Sequence, residues 1–224
     1  MKRSSADETG YRRIVQSGYD VIGERYHAWS HASETRLRYA GAVLDRLPSG
    51  STVVDLGCGP GDPATRLLAE RHQVLGVDLS MSQLRLARKL APAASLVQAD
   101  LCDLALASGS VDAVVSFYAL GHLPSVAHAP LMRRIGEWLR PGGLVLTSAP
   151  LVAGDDVEEG WLGVPMFFGG IGVQPMVDAV TGAGLTLERA EQVPEDEGAG
   201  KVVSFLWVTA TKPAQGTSTP AHGR

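Results

Sequence analysis

The stretch Val53-Val54-Asp55-Leu56-Gly57-Cys58-Gly59-Pro60-Gly61 decides how this chain folds. Its apolar, β-branched start is typical of a buried strand, and an acid closes that run. Three glycines follow at alternate positions, and glycine can adopt positive φ and lie directly against a ligand because it has no Cβ. Asp62-Pro63 comes next, an N-cap residue type followed by a proline suited to the first turn of a helix. The stretch therefore predicts a strand, a glycine turn and a helix, the arrangement of a nucleotide-type binding site.

The composition indicates one α/β domain without a nucleic-acid or membrane partner, and it leaves the oligomeric state open. The chain has 224 residues, of which 45% are apolar, and a net charge of −4. Its Arg and Lys residues are scattered, without the basic stripe of a nucleic-acid surface, and no apolar run reaches membrane-spanning length. Cys58 and Cys102 are typical of reduced cytoplasmic thiols, and no four zinc ligands cluster. We therefore expect a cytoplasmic protein with no nucleic acid, membrane or metal partner.

Strand and helix patterns alternate through the middle of the chain. The predicted strands are 51–56, 73–78, 95–99, 112–118 and 144–148. The predicted helices are 62–71, 80–90 and 126–139, the second with a capping box of Ser80 and Gln83. This alternation predicts a parallel sheet with helices on both faces. Ligands of such sheets bind outside the carboxyl ends of the strands.

The flanking regions differ from this middle part. Apolar residues at helical spacing run from Tyr11 to Trp29, and a second helix is expected from Glu34 to Leu47 with Leu37, Ala40, Leu44 and Leu47 facing inward. After a helix at 174–182, strands at 185–191 and 201–211 are separated by a short loop and should pair antiparallel. The expected division is a helical cap at 1–48, a main domain at 49–212 and a disordered tail at 213–224.

Three carboxylates end three successive strands: Asp55, Asp78 and Asp100. Any one of them fits a helix cap or a turn equally well, but all three beside the glycine turn favour a ligand. Asp78 lies about twenty residues beyond the glycines, where an acid accepts hydrogen bonds from ribose hydroxyls. Asp100 and the backbone N–H of Leu101 would serve the exocyclic amine and a ring nitrogen of adenine.

The glycine spacing separates this site from phosphate-binding sites. Dinucleotide enzymes use G-x-G-x-x-G with pyrophosphate at the helix N-terminus, whereas this chain has G-x-G-x-G followed by Asp62. A carboxylate at that point opposes a phosphate, and the Walker Lys-Ser/Thr is absent. The tail of the ligand should therefore be zwitterionic or cationic, and Asp55 suits an amine.

At these separations the chain resembles the class I S-adenosylmethionine-dependent methyltransferases. The matching segments are 55–61, 76–80, 99–101, 112–116 and 139–143. They cover a span of a little under half the chain. The resemblance implies an α/β, Rossmann-like sheet of seven strands, mostly parallel with an antiparallel last strand.

The resemblance also implies S-adenosylmethionine as the cofactor. Gly57 and Gly59 would approach its methionine part, with Asp55 orienting the turn or the amine and the backbone around Ser116 facing the same end. Asp78 would hold the ribose, and Asp100 with Leu101 the adenine. The expected cofactor-binding set is completed by Tyr19, Leu79 and Met81. Met81 lies either on one face of the adenine ring or in the helix core.

Methyl transfer from a sulfonium mainly requires alignment of the nucleophile, methyl and sulfur, and a base is needed when the acceptor is a phenol, an alcohol or a protonated amine. His122 follows the fourth strand and is the candidate catalytic base. The alternative is that it hydrogen-bonds the backbone before Pro124. His27 and His31 are further candidates if the first helix is a lid. Tyr19 either contacts the cofactor, whose cation an aromatic face attracts, or packs beside Tyr26.

The region at 150–173 is expected to build the acceptor pocket. Trp161, Met166, Phe167 and Phe168 form either its apolar wall or a satellite core. The acids at 155–159 and 195–197 are typical of a solvated face, and a cationic acceptor would give them a role. The sequence predicts a methyltransferase acting on an O or N atom of a small-molecule metabolite. The alternative is a protein that binds S-adenosylmethionine without methylating, as a cyclase or a scaffold.

Overall fold

A computed structural model describes residues 5–196 and 202–214. The helices are α1 (Ser5–Ser30), α2 (Glu34–Arg46), α3 (Ala64–Ala69), α4 (Met81–Leu90), α5 (Ser125–Trp138) and α6 (Val173–Gly182). The strands are β1 (Thr52–Leu56), β2 (Gln73–Asp78), β3 (Ser95–Gln98), β4 (Val111–Ser116), β5 (Leu139–Pro150), β6 (Ala153–Trp161), β7 (Val164–Ile171), β8 (Thr186–Asp196) and β9 (Val202–Thr211). A short 3₁₀ turn, Ala119–His122, follows β4.

Seven strands form the central sheet, in the order β3-β2-β1-β4-β5-β9-β8. The pairs among β1 to β5 are parallel, and β9 runs antiparallel to both of its neighbours. The predicted mostly parallel sheet with an antiparallel last strand is confirmed. Helices α3, α4 and α5 lie in the crossovers from β1 to β2, from β2 to β3 and from β4 to β5, whereas residues 99–110 connect β3 to β4 without a helix.

The two faces of the sheet have separate hydrophobic cores. Side chains alternate along a strand, so Val53 packs with α2 and α3, whereas Val54 packs with α5 and α6. Ala113 and Val114 divide between the two cores in the same way. Covering both faces explains why β1 and β4 are almost continuously apolar.

The N-terminal helices differ from the prediction in two details. Helix α1 begins at Ser5, before the predicted start at Tyr11. In α2 the predicted inward position of Leu37 is wrong, because this side chain is 41% exposed. The buried positions are Arg36, Tyr39, Ala40 and Val43, a helical stripe that turns Leu37 toward solvent.

Helix α3 begins later than predicted, and Asp62 is not its N-cap. Pro63 occupies the cap position and no side chain caps the helix. The Asp62 carboxylate instead accepts hydrogen bonds from Arg66 Nε at 2.8 Å and from His27 Nε2 at 3.2 Å. Ser80 does cap α4, accepting from Gln83 N at 3.2 Å, but the side chain of Gln83 makes no return bond among the described residues.

Strands β6 and β7 form a two-stranded antiparallel hairpin where only an apolar island was expected. The hairpin packs against α1 in a third core that includes Ile22, Tyr26, Trp161 and Met166. Strand β5 begins before the predicted start at 144, with an irregularity in its pairing with β4 at 140–143, and β8 extends to Asp196, beyond the predicted strand end at 191.

The predicted tail at 213–224 lies almost wholly outside the described residues, as does Glu197. The cap, domain and tail boundaries stay predictions. Across residues 5–196 and 202–214, none of the helices has both the length and the apolar character needed to cross a membrane.

Candidate active site

A cleft lies at the carboxyl edge of the sheet, where β1, β2, β3 and β4 end beneath α1. Its lining combines the glycine turn with acids, apolar side chains and tyrosines: Tyr11, Val15, Tyr19, Tyr26, Gly57, Gly59, Asp78, Leu79, Ser80, Asp100, Leu101, Phe117, Tyr118, Ala119, His122 and Leu123. Strand ends supply the acids, and the helix crossing above them closes the cleft.

The glycine turn has the backbone that the sequence predicts. Gly57 and Gly59 have φ of +73° and +55°. A Cβ at Gly57 would lie 2.1 Å from the Cβ of Ala119, so no larger residue fits there. The N–H groups of Gly57 and Cys58 both donate to the carbonyl of Val77, which ties the turn to β2.

Asp78 joins the glycine turn to α4. One carboxylate oxygen accepts from Gly59 N and the other from Ser80 N, both at 2.8 Å. Burial raises the pKa of Asp78 to about 6, although these backbone hydrogen bonds oppose the rise. The two carboxylate oxygens together offer about four lone pairs, so the carboxylate can accept ligand hydroxyls as well.

Asp55 lies beneath the turn and does not line the cleft. It is 3% exposed and accepts a hydrogen bond from Thr65 Oγ1 at 2.6 Å. Burial raises the pKa of Asp55 to about 6, and the hydrogen bond from Thr65 opposes that rise. Its position fits support of the turn rather than direct contact with a ligand.

Asp100 is held by the helix that covers the cleft. Arg12 Nε lies 2.6 Å from one carboxylate oxygen, and the Tyr11 hydroxyl donates to the same atom at 3.0 Å. The other oxygen accepts from Cys102 N at 2.7 Å. Tyr11 was not among the predicted site residues, although it belongs to the predicted apolar stripe of α1.

The remaining predicted cofactor residues divide into two groups. Leu79 and Leu101 line the cleft, whereas Met81 is 38% exposed and does not. Ser116 is buried, and its hydroxyl donates to the carbonyl of Leu56 at 2.9 Å. The structure therefore gives Ser116 a sheet contact, and the next residue, Phe117, reaches the cleft.

Tyr19 and His122 form a hydrogen-bonded pair at the end of the cleft. The Tyr19 hydroxyl lies 2.8 Å from His122 Nε2, and His122 Nδ1 lies 2.9 Å from the carbonyl oxygen of Phe167. A carbonyl only accepts, so Nδ1 carries the ring proton and Nε2 accepts from Tyr19. Burial lowers the pKa of His122 to about 4 and raises that of Tyr19 well above its ordinary value.

A second cavity of about 990 Å³ opens on the other side of this pair. Both Tyr19 and His122 line it together with aromatic side chains from α1 and the hairpin: Tyr26, Trp29, Trp161 and Phe168. Met166 is fully buried under α1 and does not line it. Phe167 lines neither cavity, but its backbone carbonyl accepts from His122 and its ring packs against that of Tyr11.

Arg36 is the site residue that sequence reasoning missed. It is 8% exposed, lines the second cavity and donates from Nη2 to the Tyr26 hydroxyl at 2.7 Å. Its guanidinium lies 4.8 Å from the centre of the Tyr118 ring. Within the described part of the chain, no carboxylate pairs with it and its Nε has no partner. A charged residue inside the apolar stripe of α2 was the available signal.

The other histidine candidates lie away from this junction. His27 pairs with Asp62, and His31 is exposed on the surface. Neither lines the cleft or the second cavity. Among residues 5–196 and 202–214, no three His, Cys, Asp or Glu side chains gather as metal ligands.

Comparison with known proteins extends these observations. Residues 53–143 match a methyltransferase domain family. A trans-aconitate 2-methyltransferase of Azoarcus sp. (strain BH72) is 41% identical over 123 residues, which cover 53% of this chain and 47% of that protein. The chain thus spans about half the length of the curated relatives it matches.

Two crystal structures show the same fold. The 1,6-didemethyltoxoflavin-N1-methyltransferase of Burkholderia thailandensis, solved with S-adenosylhomocysteine and its acceptor bound, aligns with a TM-score of 0.68 at 21% identity over 95% of this chain and 93% of that one. The 4+2 cyclase SpnF aligns with a TM-score of 0.67 at 16% identity over 91% and 96%.

Proposed function

We propose that this chain is a class I S-adenosylmethionine-dependent methyltransferase that transfers a methyl group to an oxygen or nitrogen atom of a small-molecule metabolite, which its match to a methyltransferase domain family supports. One observation carries the proposal. The cleft with the glycine turn and the second cavity meet at Tyr19 and His122, which line both. Two bound molecules would therefore face each other at that pair.

The residues of the cleft fit S-adenosylmethionine. Asp78 would accept from the ribose hydroxyls, and Asp100 with the backbone of Leu101 would face the adenine. Gly57 and Gly59 leave the close approach that the amino-acid end needs, since a Cβ at Gly57 would fill it. The cofactor supplies a methyl group activated on a positively charged sulfur.

The buried guanidinium of Arg36 supports this fit most strongly. An Arg this buried is costly without an anion, and its neighbour Tyr26 lies 3.7 Å from the point where a Cβ of Gly59 would be. A carboxylate at the amino-acid end of the cofactor is therefore the natural partner of Arg36. A polyphosphate ligand would instead face Asp78 and Asp100 along the whole cleft.

Tyr19 and His122 align the acceptor within this proposal. The His122 ring is fixed by the Phe167 carbonyl, and the ring in turn fixes the Tyr19 hydroxyl. We propose that Tyr19 contacts the nucleophile and that His122 positions Tyr19 and acts as a base only through it. If the nucleophile is a hydroxyl, its proton passes to Tyr19 while the proton of Tyr19 passes to Nε2 of His122.

The proposal also includes the class of acceptor, the cellular location and the domain organisation of the enzyme. The acceptor is a small molecule rather than a nucleic acid, which the acidic lining of the cavity supports. A cytoplasmic location is supported by the free thiols of Cys58 and Cys102. Residues 1–48 act as the cap of the domain at 49–212, since α1 covers the cleft.

A protein that binds the cofactor without transferring methyl is the alternative, because SpnF has the same fold. The test is incubation of the purified protein with methyl-labelled S-adenosylmethionine and a metabolite extract. We expect label in a small molecule and an equal yield of S-adenosylhomocysteine. Cofactor binding without any labelled product would favour the non-methylating role, and no binding would reject the proposal.

A further inference from the structure

The direction of the hydrogen bonds at the junction of the two cavities indicates which chemical group of an acceptor can bind there. Because the Tyr19 hydroxyl donates its proton to His122 Nε2, the Tyr19 oxygen offers only lone pairs to the second cavity. An N–H or O–H group of an acceptor would donate to that oxygen. A carboxylate acceptor can offer only lone pairs, which would repel the lone pairs of the Tyr19 oxygen. This junction therefore disfavours a carboxylate.

The low basicity of His122 favours an amine over a hydroxyl as the group that is methylated. Burial lowers the pKa of His122 to about 4, so the ring takes up a proton from an alcohol or phenol poorly. A neutral amine brings its own lone pair and needs no proton removal during attack. Of the nucleophiles that carry a donor hydrogen, an amine therefore suits this pair best.

The charges around the second cavity point to a cation. Five acids line it among the described residues, and Arg36 is its one Lys or Arg side chain. Asp156 and Glu158 project from the same face of β6, and Glu195 accepts from the Tyr118 hydroxyl at 2.8 Å. The guanidinium of Arg36 is buried against Tyr26 and Tyr118, so the opening of the second cavity keeps the negative charge of the acids.

The walls of the cavity suit the same kind of ligand. The centroid of the Trp161 ring lies 5.8 Å from the ring centroid of Tyr19, 5.7 Å from that of Phe168 and 6.2 Å from that of Trp29. Aromatic faces attract cations, most strongly where water is excluded. Ser30, which is 4% exposed, lines the same cavity with a hydroxyl that has no partner in the described structure.

Resting on the proposed function, we infer that the acceptor is a cationic amine that is methylated on nitrogen, and that the cavity excludes polycarboxylates such as trans-aconitate. Carboxylates at the mouth attract the ammonium form, and Tyr19 receives the N–H of the neutral form. The relatives named for trans-aconitate therefore share the cofactor cleft with this chain but not its acceptor.

The bond changes balance without any further reactant. The ammonium group first releases one proton to water, which leaves a lone pair on nitrogen. The N–C bond forms as the C–S bond of the cofactor breaks, and the electron pair of that bond stays on sulfur. The positive charge that was on sulfur is then on the methylated nitrogen.

A pair of probes of similar shape tests this inference. Phenethylamine and 3-phenylpropanoate differ mainly in the charge of the tail, and trans-aconitate represents the polycarboxylates. Binding of each to the protein saturated with S-adenosylhomocysteine is measured by calorimetry. We expect phenethylamine to bind at least about tenfold more tightly than either carboxylate, since like charges at an interface are strongly disfavoured.

Two variants test whether the acids that line the cavity cause the preference for phenethylamine over the carboxylates. The double substitution D156N/E158Q removes two lining charges and should reduce the preference several-fold. The matched control is E159Q, on the same strand but outside the cavity lining, which should keep the preference. Tighter binding of a carboxylate, binding of neither probe, or a preference unchanged in D156N/E158Q would overturn the amine assignment. Failure to bind S-adenosylhomocysteine would instead overturn the proposed function.

Discussion

At the scale of single residues, Asp78 has two tasks at once. Its carboxylate holds Gly59 and Ser80 through backbone hydrogen bonds, and its remaining lone pairs face the cleft. We expect Asp78→Asn to weaken S-adenosylhomocysteine binding by about 1–3 kcal/mol, the cost of losing hydrogen bonds to a charged group. Calorimetry measures this change. The exposed Asp45→Asn on α2 is the control, and equal affinities of the two variants would reject the ribose role.

The pH dependence of cofactor binding follows from the same carboxyl. The pKa of Asp78 is raised to about 6 by burial, and Asp20 and the backbone N–H groups act on it as well. The ionised form accepts hydroxyls, so affinity should be constant above about pH 7 and fall about tenfold per pH unit below about pH 6. Asp78→Asn should flatten this fall. An affinity independent of pH across this range contradicts the assignment.

His122 should remain neutral through the physiological range. Its pKa is lowered to about 4 because burial disfavours the charged ring. Nitrogen NMR should therefore find one neutral tautomer, with hydrogen on Nδ1, from about pH 8 to about pH 5. A His122→Asn variant identifies the signal by its loss. A midpoint near the ordinary histidine value would contradict this expectation.

Residue types explain which site residues the sequence could predict. The strand-ending acids and the glycines are visible because strand ends and turns are local patterns. Arg36 was missed because its role depends on the contact of α2 with Tyr26 and Tyr118, far away in the chain. Met81 lies beside the cleft without lining it, because residue order does not determine the direction of its side chain.

At the scale of elements, the contact of α1 with the hairpin controls closure of the cleft. A Cβ at Gly18 would lie 2.7 Å from Met166 Cε and 3.2 Å from the carbonyl oxygen of Pro165. A Cβ at Gly10, on the same helix, would meet nothing within 4 Å. Both Gly→Ala changes gain about 1 kcal/mol of helix propensity. Overpacking at Gly18 costs about 1–3 kcal/mol.

Gly18→Ala should therefore be less stable than Gly10→Ala by about 1–3 kcal/mol in urea unfolding. It should also bind S-adenosylhomocysteine more weakly, because Tyr11 and Tyr19 of the same helix line the cleft. Equal stability of the two variants would mean that α1 does not rest on the hairpin in solution.

Most helices and strands of the sheet could be predicted, whereas the hairpin could not. Strand patterns with buried faces, as in β1 and β4, carry a strong apolar signal. β6 is almost entirely exposed, and its acids at 155–159 carry no alternation. Its strand form depends on pairing with β7 and on support from α1, which no local pattern reveals.

At the scale of the whole molecule, the cleft lies between α1 and the carboxyl ends of four strands, β1 to β4. A ligand that binds only the folded chain stabilises it, by about 2.7 kcal/mol at about 100 times its dissociation constant. For a domain of this size that corresponds to a rise of about 5–10 °C in Tm. Thermal unfolding with S-adenosylhomocysteine measures it, with NADH as the control ligand. A rise with NADH alone would contradict the choice of cofactor.

The parallel sheet follows from the alternation of strands and helices, and a cleft at the carboxyl ends of its strands could therefore be predicted as well. The second cavity could not, because α1, β6, β7, β8 and β9 contribute to it from distant parts of the chain. Its acids appeared in the sequence as a solvated face. Only the packing of these elements brings the acids together around the aromatic lining of the second cavity.

A crystal structure of the protein with S-adenosylhomocysteine tests the central claim most directly. The account predicts the ribose hydroxyls on Asp78, the adenine beside Asp100 and Leu101, and the carboxylate on Arg36, with the sulfur directed toward Tyr19. An empty cleft, or the ligand bound elsewhere on the protein, would contradict it.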